Sequence, residues 1–317
     1  MDTHSEQNLL NEVAQAPEAI RQNIHETPVH TSRHLDKLSG NELFFKCESL
    51  QKTGSFKIRG VTNTIRQYSE KQLQKGIITH SSGNHAQAVA YGAQLAGIPA
   101  YIVMPENASR VKVEAVKAYG AEITFCGPTQ HDRETTTERL IQETGALFIH
   151  PYDRPSIIAG QSTMVQELIK QVSGLDLIVV PIGGGGLCSG TLLGLLVNEE
   201  DIPVMGVEPV MADDARQSLQ SGERQPARNL PTIADGLKTS LGELPFQIIK
   251  EHIEQIATVE EGAIADATRL IMERMKMVVE PSGAVTLAAL LDSKFELRDQ
   301  KIGVVISGGN VDLDQLP

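Results

Sequence analysis

The segment KTGSFKIRG, residues 52–60, places Lys57 between an aromatic residue and an isoleucine, in a run that otherwise has the polar, glycine-marked pattern of a turn entering a helix. A surface lysine needs no such apolar setting. Burial against apolar neighbours lowers the pKa of a lysine, because it disfavours the charged ammonium. A neutral amine is a nucleophile toward carbonyl groups, so Lys57 is a candidate for covalent catalysis.

Four consecutive glycines, Gly183–Gly186, follow the apolar run LIVVPI and precede an apolar segment of helical pattern. Such glycines expose backbone N–H groups at a helix start, which favours phosphate binding; a flexible turn is the alternative. The loop is neither GxxxxGK[ST] nor GxGxxG, so the phosphate belongs to neither a nucleoside triphosphate nor a dinucleotide. A phosphate loop together with an amine nucleophile indicates pyridoxal 5'-phosphate, whose aldehyde condenses with lysine.

Composition limits the class of protein. The chain has 317 residues, a formal net charge of -12 and 21% charged residues, so we expect no nucleic-acid partner. No run approaches the length of about 20 apolar residues that crosses a bilayer, and the N-terminus MDTHSEQNLLNEV is unlike a secretory signal. We expect a cytoplasmic protein whose three cysteines, Cys47, Cys126 and Cys188, are buried small hydrophobes.

The pattern from residue 76 onward is an alternation of short β-branched runs and helical segments, which predicts βαβ units and a parallel sheet. The fold class we expect is α/β with two lobes, each an open, mostly parallel sheet flanked by helices, and the cofactor in the cleft between them. The predicted large domain comprises residues 1–70 and 150–317, and the small domain residues 75–149. The stretch QSGERQPARNLPTIADG, residues 220–236, reads as a surface excursion.

The motifs KTGSFKIRG, SSGNHAQA, GGGGL, VEPSG and SGGN occur here in the order and spacing of a known family. The chain resembles the pyridoxal-phosphate-dependent serine/threonine dehydratases and serine racemases, relatives of the tryptophan synthase β-subunit. The resemblance runs from HETPVHTS near residue 25 to SGGNVDL, and within the family it is greatest to the racemases.

The resemblance implies a cofactor site in which Lys57 bonds covalently to the cofactor aldehyde and accepts the Cα proton of the substrate. Phe56 and Gly236 would flank the ring, Asn84 would bond its 3'-oxygen, and Ser307 would meet its nitrogen. A hydroxyl partner does not force ring protonation as an aspartate would, so prompt elimination or reprotonation is favoured over transamination. The implied cofactor-binding set is Phe56, Lys57, Asn84, Gly183, Gly184, Gly185, Gly186, Leu187, Gly236, Glu280 and Ser307.

The resemblance also implies the substrate contacts. Ser82 would act as a second acid–base on the ring face opposite Lys57, which racemisation requires; alternatively Ser82 only binds the substrate carboxylate. Tyr152, where brain-type racemases have a small polar residue, favours a mixed racemase and dehydratase activity. The implied substrate-binding set is Ser81, Ser82, Asn84, His85, Arg133 and Ser240.

Two further sites follow from the resemblance. Glu208, the carbonyl of Ala212 and Asp214 match the family's divalent site, and such hard oxygen ligands suit Mg²⁺, Ca²⁺ or Mn²⁺. A nucleotide site for ATP as an activator would use Lys52, Thr53, Lys276 and Asn310.

The predicted function is a serine racemase activity combined with β-elimination of serine or threonine, giving a keto acid and ammonia. The alternatives are a catabolic threonine dehydratase, a 3-hydroxyaspartate dehydratase and, from another class, a cofactor-binding module without turnover. The family implies a homodimer. The chain stops at SGGNVDLDQLP, so we expect no carboxyl-terminal regulatory domain.

Overall fold

The structure is a computed structural model that describes residues 3–228, 231–292, 294 and 297–316. Its strands are β1 Val29–His30, β2 Glu42–Cys47, β3 Ile77–His80, β4 Ala100–Pro105, β5 Glu122–Cys126, β6 Leu147–Phe148, β7 Leu177–Pro181, β8 Val204–Pro209, β9 Gln255–Val259 and β10 Lys301–Ile306. Its α-helices are α1 Thr3–Ile20, α2 Arg33–Ser39, α3 Lys57–Ile65, α4 Glu70–Leu73, α5 Asn84–Ala96, α6 Arg110–Ala118, α7 Gln130–Thr144, α8 Pro155–Gln171, α9 Gly186–Val197, α10 Asp214–Ser221, α11 Glu243–His252, α12 Glu261–Met275 and α13 Pro281–Leu291.

The strands of the described residues form two sheets. One is six-stranded, with the order β1-β2-β10-β7-β8-β9, and the other is four-stranded, with the order β5-β4-β3-β6. All pairs are parallel except β1 with β2, which is an antiparallel edge. The α/β class with two mostly parallel sheets is therefore confirmed, whereas the exact domain boundaries stay a prediction.

The six-stranded sheet is covered on both faces. Every residue of β7 is buried, as is every residue of β10 except Lys301, which explains why these strands read as continuous β-branched runs. One face packs on α12 and α13, and the other on α8 and α9. The four-stranded sheet has its own buried cluster, to which α5 and α6 contribute.

One strand is not evident from the sequence pattern. The segment ELFFKC is strand β2, which lies beside β10, and α1 packs on α8. A buried strand of six residues carries no helical period and is easily overlooked. Within the predicted surface excursion, Asn229 and Leu230 lie outside the described residues.

The cysteine prediction is confirmed: Cys47, Cys126 and Cys188 are free and buried. Burial raises the pKa of all three thiols, so they are poor nucleophiles. Within the described residues, none of the helices combines the length and apolar character needed to cross a bilayer.

Candidate active site

The predicted site segments all follow the carboxyl ends of parallel strands. Ser307 follows β10, the loop Gly183–Gly186 follows β7, and Ser81 and Ser82 follow β3 of the other sheet. Strand β10 lies beside both β2 and β7, so Ser307 and the glycine loop are neighbours. This edge is where open parallel sheets bind ligands.

Lys57 begins α3 and directs its amine across the sheet edge. Nζ donates a 2.9 Å hydrogen bond to the carbonyl of Pro151 and lies 5.0 Å from the centre of the Phe56 ring and 6.0 Å from that of Tyr152. Burial lowers the pKa of Lys57 to about 8, against an opposing influence of the Glu280 carboxylate. The apolar setting expected from the sequence therefore exists, and it makes the neutral amine accessible near neutral pH.

The segment before Lys57 is tied to the end of β10. The backbone N–H of Phe56 donates to the carbonyl of Ser307 at 3.1 Å, and Ser55 forms an isolated antiparallel bridge with Gly308. Ser307 is 3% exposed. This backbone pairing therefore holds Lys57 close to Ser307, whose hydroxyl is expected to face the ring nitrogen of the cofactor.

Asn84, the first residue of α5, reaches across the cleft. Its amide Nδ2 donates to the carboxylate of Glu280 at 2.7 Å, and its Oδ1 accepts from Asn310 Nδ2 at 2.8 Å. Glu280 is 3% exposed, and burial, followed by the negative charge of Asp235, raises its pKa to about 8. A carboxyl group in this state can be held protonated beside a bound cofactor.

The glycine loop has a shape that only glycine allows. A Cβ atom on Gly184 would lie 2.3 Å from Cδ1 of Tyr152, and Gly185 has a φ of +86°. Gly183 lies next to Leu237 and the carbonyl of Gly236. The loop opens α9, so backbone N–H groups and the positive helix end are available to a phosphate. These residues fit the phosphate of pyridoxal phosphate, and Tyr152 adjoins both the loop and the Lys57 amine.

The residues expected to bind substrate come from both sides of the cleft. Ser81 and Ser82 are partly buried at the start of α5, and Ser81 Oγ accepts from the N–H of Gly83 at 3.3 Å. Arg133, on α7, keeps a buried Nε without a hydrogen-bond partner among the described residues. Ser240 Oγ accepts from the N–H of Ala227 at 3.1 Å.

His85 has a fixed tautomer. Nε2 lies 3.0 Å from the carbonyl of Ile149, which can only accept, so Nε2 carries the proton. Nδ1 is then an acceptor, and it is buried without a partner among the described residues. Burial, reinforced by the charge of Lys57, holds the pKa of this imidazole well below its usual range.

The predicted metal ligands are brought together by β8 and α10. Glu208 accepts from the N–H groups of Ala215 and Arg216 at 3.0 and 2.8 Å, and Asp214 Oδ2 accepts from that of Leu241 at 2.8 Å. Asp214 Oδ1 is buried without a partner among the described residues. Burial raises the pKa of Glu208 strongly and that of Asp214 to about 6.

This donor set fits a hard cation only with help from the backbone. No group of three or more His, Cys, Asp or Glu side chains within the described residues could hold a metal ion. The carbonyl of Ala212 and water would complete the coordination, as Mg²⁺ and Ca²⁺ sites commonly do.

Two of the four predicted nucleotide residues, Lys276 and Asn310, line a surface pocket of about 340 Å³. Thr53 lies beneath it, because its carbonyl accepts from Asn310 Nδ2 at 2.7 Å. Lys52 points elsewhere, with Nζ 3.5 Å from the carbonyl of Gln22. Asn310 therefore contacts both this pocket and the Asn84–Glu280 pair.

Several features of the site were not anticipated from the sequence. They are the Pro151 carbonyl that holds Lys57, the ion pair between Lys112 of α6 and Asp235, and the buried hydroxyl of Ser55, which has no hydrogen-bond partner among the described residues. Only Ser55 carried a signal, since it is a small polar residue two positions before the lysine.

The comparisons with known proteins agree with this geometry. The chain belongs to the family of pyridoxal-phosphate dependent enzymes, whose model matches residues 20–308. It is 46% identical over 313 residues to "Serine racemase" of Dictyostelium discoideum, covering 97% of this chain and 96% of that protein. It is 44% identical over 302 residues to "beta-hydroxyaspartate dehydratase" of Paracoccus denitrificans, covering 95% and 96%.

A solved structure of maize serine racemase superimposes with a TM-score of 0.94 at 43% identity, covering 97% of this chain and 95% of that one. The family resemblance stated from the motifs is confirmed, and the chain is a pyridoxal-phosphate-dependent enzyme. The individual roles of the site residues stay predictions.

Proposed function

We propose that this enzyme interconverts L- and D-serine and also eliminates water from serine to give pyruvate and ammonia. The observation that carries the proposal is the amine of Lys57, which is held by the Pro151 carbonyl in an apolar setting with its pKa lowered to about 8. A relative named "Serine racemase" matches 97% of the chain at 46% identity, which supports the substrate class.

Bound pyridoxal phosphate would supply an aldehyde for the amino group of the substrate and an electron sink that makes the Cα–H acidic. The loop Gly183–Gly186 with Leu187 would hold its phosphate, and Ser307 would face its ring nitrogen. Phe56 and Gly236 would line the two ring faces, with Asn84 and Glu280 at the ring edge.

Lys57 performs the proton transfer on one face of the substrate. Its amine accepts the Cα proton, and the lowered pKa keeps a usable fraction neutral near pH 7. Ser81, Asn84, the backbone of His85 and the free Nε of Arg133 orient the substrate carboxylate, and Ser240 closes the site from the large lobe.

Ser82 decides between the two outcomes. When its hydroxyl gives a proton to Cα from the face opposite Lys57, the product is the other enantiomer. When the β-hydroxyl leaves while Lys57 still holds the proton taken from Cα, the final products after hydrolysis are pyruvate and ammonia. One molecule of serine balances one of pyruvate and one of ammonia, since the water lost is regained.

The buried carboxylates of Glu208 and Asp214 with the Ala212 carbonyl would bind Mg²⁺ or a similar divalent ion. Asp214 Oδ1 supports this, because it is buried with no hydrogen-bond partner within the described part of the chain. ATP would bind in the pocket at Lys276 and Asn310, with Thr53 below it. Leu50 and Val278, 44% and 45% exposed beside that pocket, are surfaces that a second copy of the chain would cover in a homodimer. Three buried free thiols fit a cytoplasmic, reducing location.

A dehydratase acting on β-hydroxyaspartate is the second candidate, because a relative with that name is 44% identical over 302 residues. Purified enzyme should be incubated with L-serine, D-serine, L-threonine and 3-hydroxyaspartate, with Mg²⁺ or EDTA, and analysed by chiral chromatography and keto-acid assay. D-serine formed from L-serine supports the proposal. Elimination of 3-hydroxyaspartate without any serine interconversion would replace it with the second candidate, and absence of all turnover would leave a binding module.

A further inference from the structure

We infer that Arg59 is a positioning residue for Lys57, which it serves by locking the rotation of α3 through the two bidentate ion pairs that it forms with Glu48 and Glu167 in a buried charged network. The inference rests on the proposed role of Lys57 as the cofactor-binding amine. Arg59 lies two positions after Lys57, so the two side chains point about 200° apart around the helix. Lys57 faces the cleft while Arg59 faces the interior of the large lobe.

The first half of the network joins Arg59 to the end of β2. Its Nε and Nη2 donate to the two carboxylate oxygens of Glu48 at 2.7 and 2.8 Å, a bidentate fork in which both side chains are 0% exposed. Thr27 Oγ1 donates to the same carboxylate at 2.5 Å. A fork of this kind fixes orientation as well as distance, because both groups are planar.

The second half joins Arg59 to α8. Nη1 and Nη2 donate to the two oxygens of Glu167 at 2.6 and 2.8 Å, and Nη1 also donates to Thr163 Oγ1 at 3.1 Å. Lys46 on β2 is the fourth charged side chain, and its Nζ donates to Glu167 at 2.6 Å. Two cations and two carboxylates therefore share one buried site.

Close backbone packing brings α3 within reach of that site. A Cβ atom on Gly160 of α8 would lie 2.6 Å from Cα of Gly60, the residue after Arg59, and 2.5 Å from the carbonyl of Arg59. Helices that approach so closely cannot rotate independently. The bonds of Arg59 therefore fix the rotation of α3 about its axis, and that rotation fixes the direction of the Lys57 amine.

Stability alone does not explain the network. Buried ion pairs add little net stability over apolar residues of the same volume, because desolvation offsets their attraction. The two bidentate ion pairs of Arg59 instead restrict α3 to a single geometry. Lys57, two positions before Arg59, is the residue whose side-chain direction matters for the chemistry.

The test compares Arg59→Lys with Lys46→Met. Lysine keeps the charge at position 59 but cannot make two planar forks. Lys46→Met removes a charge from the same network without touching α3, so it is the matched control for stability. Each full-length protein is freed of cofactor and mixed with pyridoxal phosphate. Covalent capture, in which amine and aldehyde join with loss of one water, is followed by borohydride trapping across a pH series.

We expect Arg59→Lys to capture the cofactor about 10- to 100-fold more slowly, the size of effect produced by a misplacement of about 1 Å. Its pH midpoint for capture should rise, because a displaced amine is less buried. Lys46→Met should lower the melting temperature and yet capture at nearly the wild-type rate. Wild-type rate and midpoint in Arg59→Lys, or equal slowing in both variants, would overturn the inference.

If Arg59→Lys does not fold, Glu167→Gln replaces it, since that carboxylate forms the outer fork and is 16% exposed. Slower capture in Glu167→Gln than in Lys46→Met supports the inference, and identical rates refute it. The wild-type protein separates the two hypotheses: if it traps no cofactor at Lys57, the proposed function fails before the role of Arg59 is tested.

Discussion

The side chain of Asn84 donates a 2.7 Å hydrogen bond to the carboxylate of Glu280, which lies 196 positions later in the chain. Asn84 begins α5, beside the four-stranded sheet, and Glu280 immediately precedes α13, beside the six-stranded sheet. The bond therefore spans the cleft. Because burial raises the pKa of Glu280 to about 8, the protonation of this carboxyl near neutral pH is coupled to folding and to the cleft contact.

The raised pKa of Glu280 predicts a pH-dependent stability in the protein freed of cofactor. Between an unfolded pKa of 4.5 and a folded pKa of about 8, the native state binds a proton that the unfolded state has lost. The contribution of this carboxyl is thus fully present below 4.5 and lost as pH rises through 8. Relative to the wild type, the free energy of unfolding of Glu280→Gln should rise by up to a few kcal/mol across that pH window, measured by urea unfolding.

Glu260→Gln is the matched control for this series, because Glu260 is exposed and precedes α12 as Glu280 precedes α13. It shows what the loss of one exposed charge before a helix does to the free energy of unfolding. The same difference from the wild type at every pH in Glu280→Gln would show that this carboxyl is ionised normally in the folded protein.

Ser82→Ala should abolish interconversion of the serine enantiomers while sparing elimination from L-serine. Removal of the hydroxyl deletes the acid–base on the second face, whereas Lys57 alone suffices for elimination. Chiral chromatography and pyruvate release, measured on the same samples, separate the two activities. Ser81→Ala, which alters the carboxylate contacts, should weaken both together, and the same joint loss in Ser82→Ala would assign Ser82 to binding alone.

Short sequence segments predict much of this site, whereas the contacts between distant segments could not be predicted. The loops after β3, β7 and β10 were recognisable because Ser82, Gly183 and Ser307 each follow an apolar run that ends abruptly in small polar or glycine residues. The Asn84–Glu280 bond, the Pro151 carbonyl and the Arg59 network join residues far apart in sequence, so no periodicity or spacing encodes them.

Gly184→Ala should weaken the binding of pyridoxal phosphate by about 10- to 100-fold, the effect of 1–3 kcal/mol of overpacking. Its new methyl group would lie 2.3 Å from Cδ1 of Tyr152 and force the loop or the ring to move. Fluorescence titration of the cofactor-free protein measures the affinity. Gly262→Ala, where a Cβ meets nothing within 4 Å, should bind as the wild type does.

The double variant Gly184→Ala with Tyr152→Ala should recover part of the lost cofactor affinity, because the obstructing ring is gone. No recovery would mean that the methyl group acts on the phosphate directly rather than through Tyr152.

Magnesium should raise the melting temperature of the wild type by several degrees, and EDTA should reverse the effect. Binding to the native state alone stabilises by about 2.7 kcal/mol at 100 times the dissociation constant. Asp214→Asn should lose the response, since its orphaned Oδ1 is a predicted ligand. Asp213→Asn, whose carboxylate pairs with Arg228, should keep it, and a retained response in Asp214→Asn would exclude this metal site.

Peptide mapping shows whether Lys57 forms the covalent bond to pyridoxal phosphate. The purified holoenzyme is reduced with borohydride and digested, and the labelled peptide is sequenced by mass spectrometry. We expect one cofactor per chain on the peptide that contains Lys57, and none in Lys57→Ala. Lys71→Ala, which changes an exposed lysine on α4, should label fully. A label on any other lysine, or an unlabelled wild-type protein, would contradict this expectation.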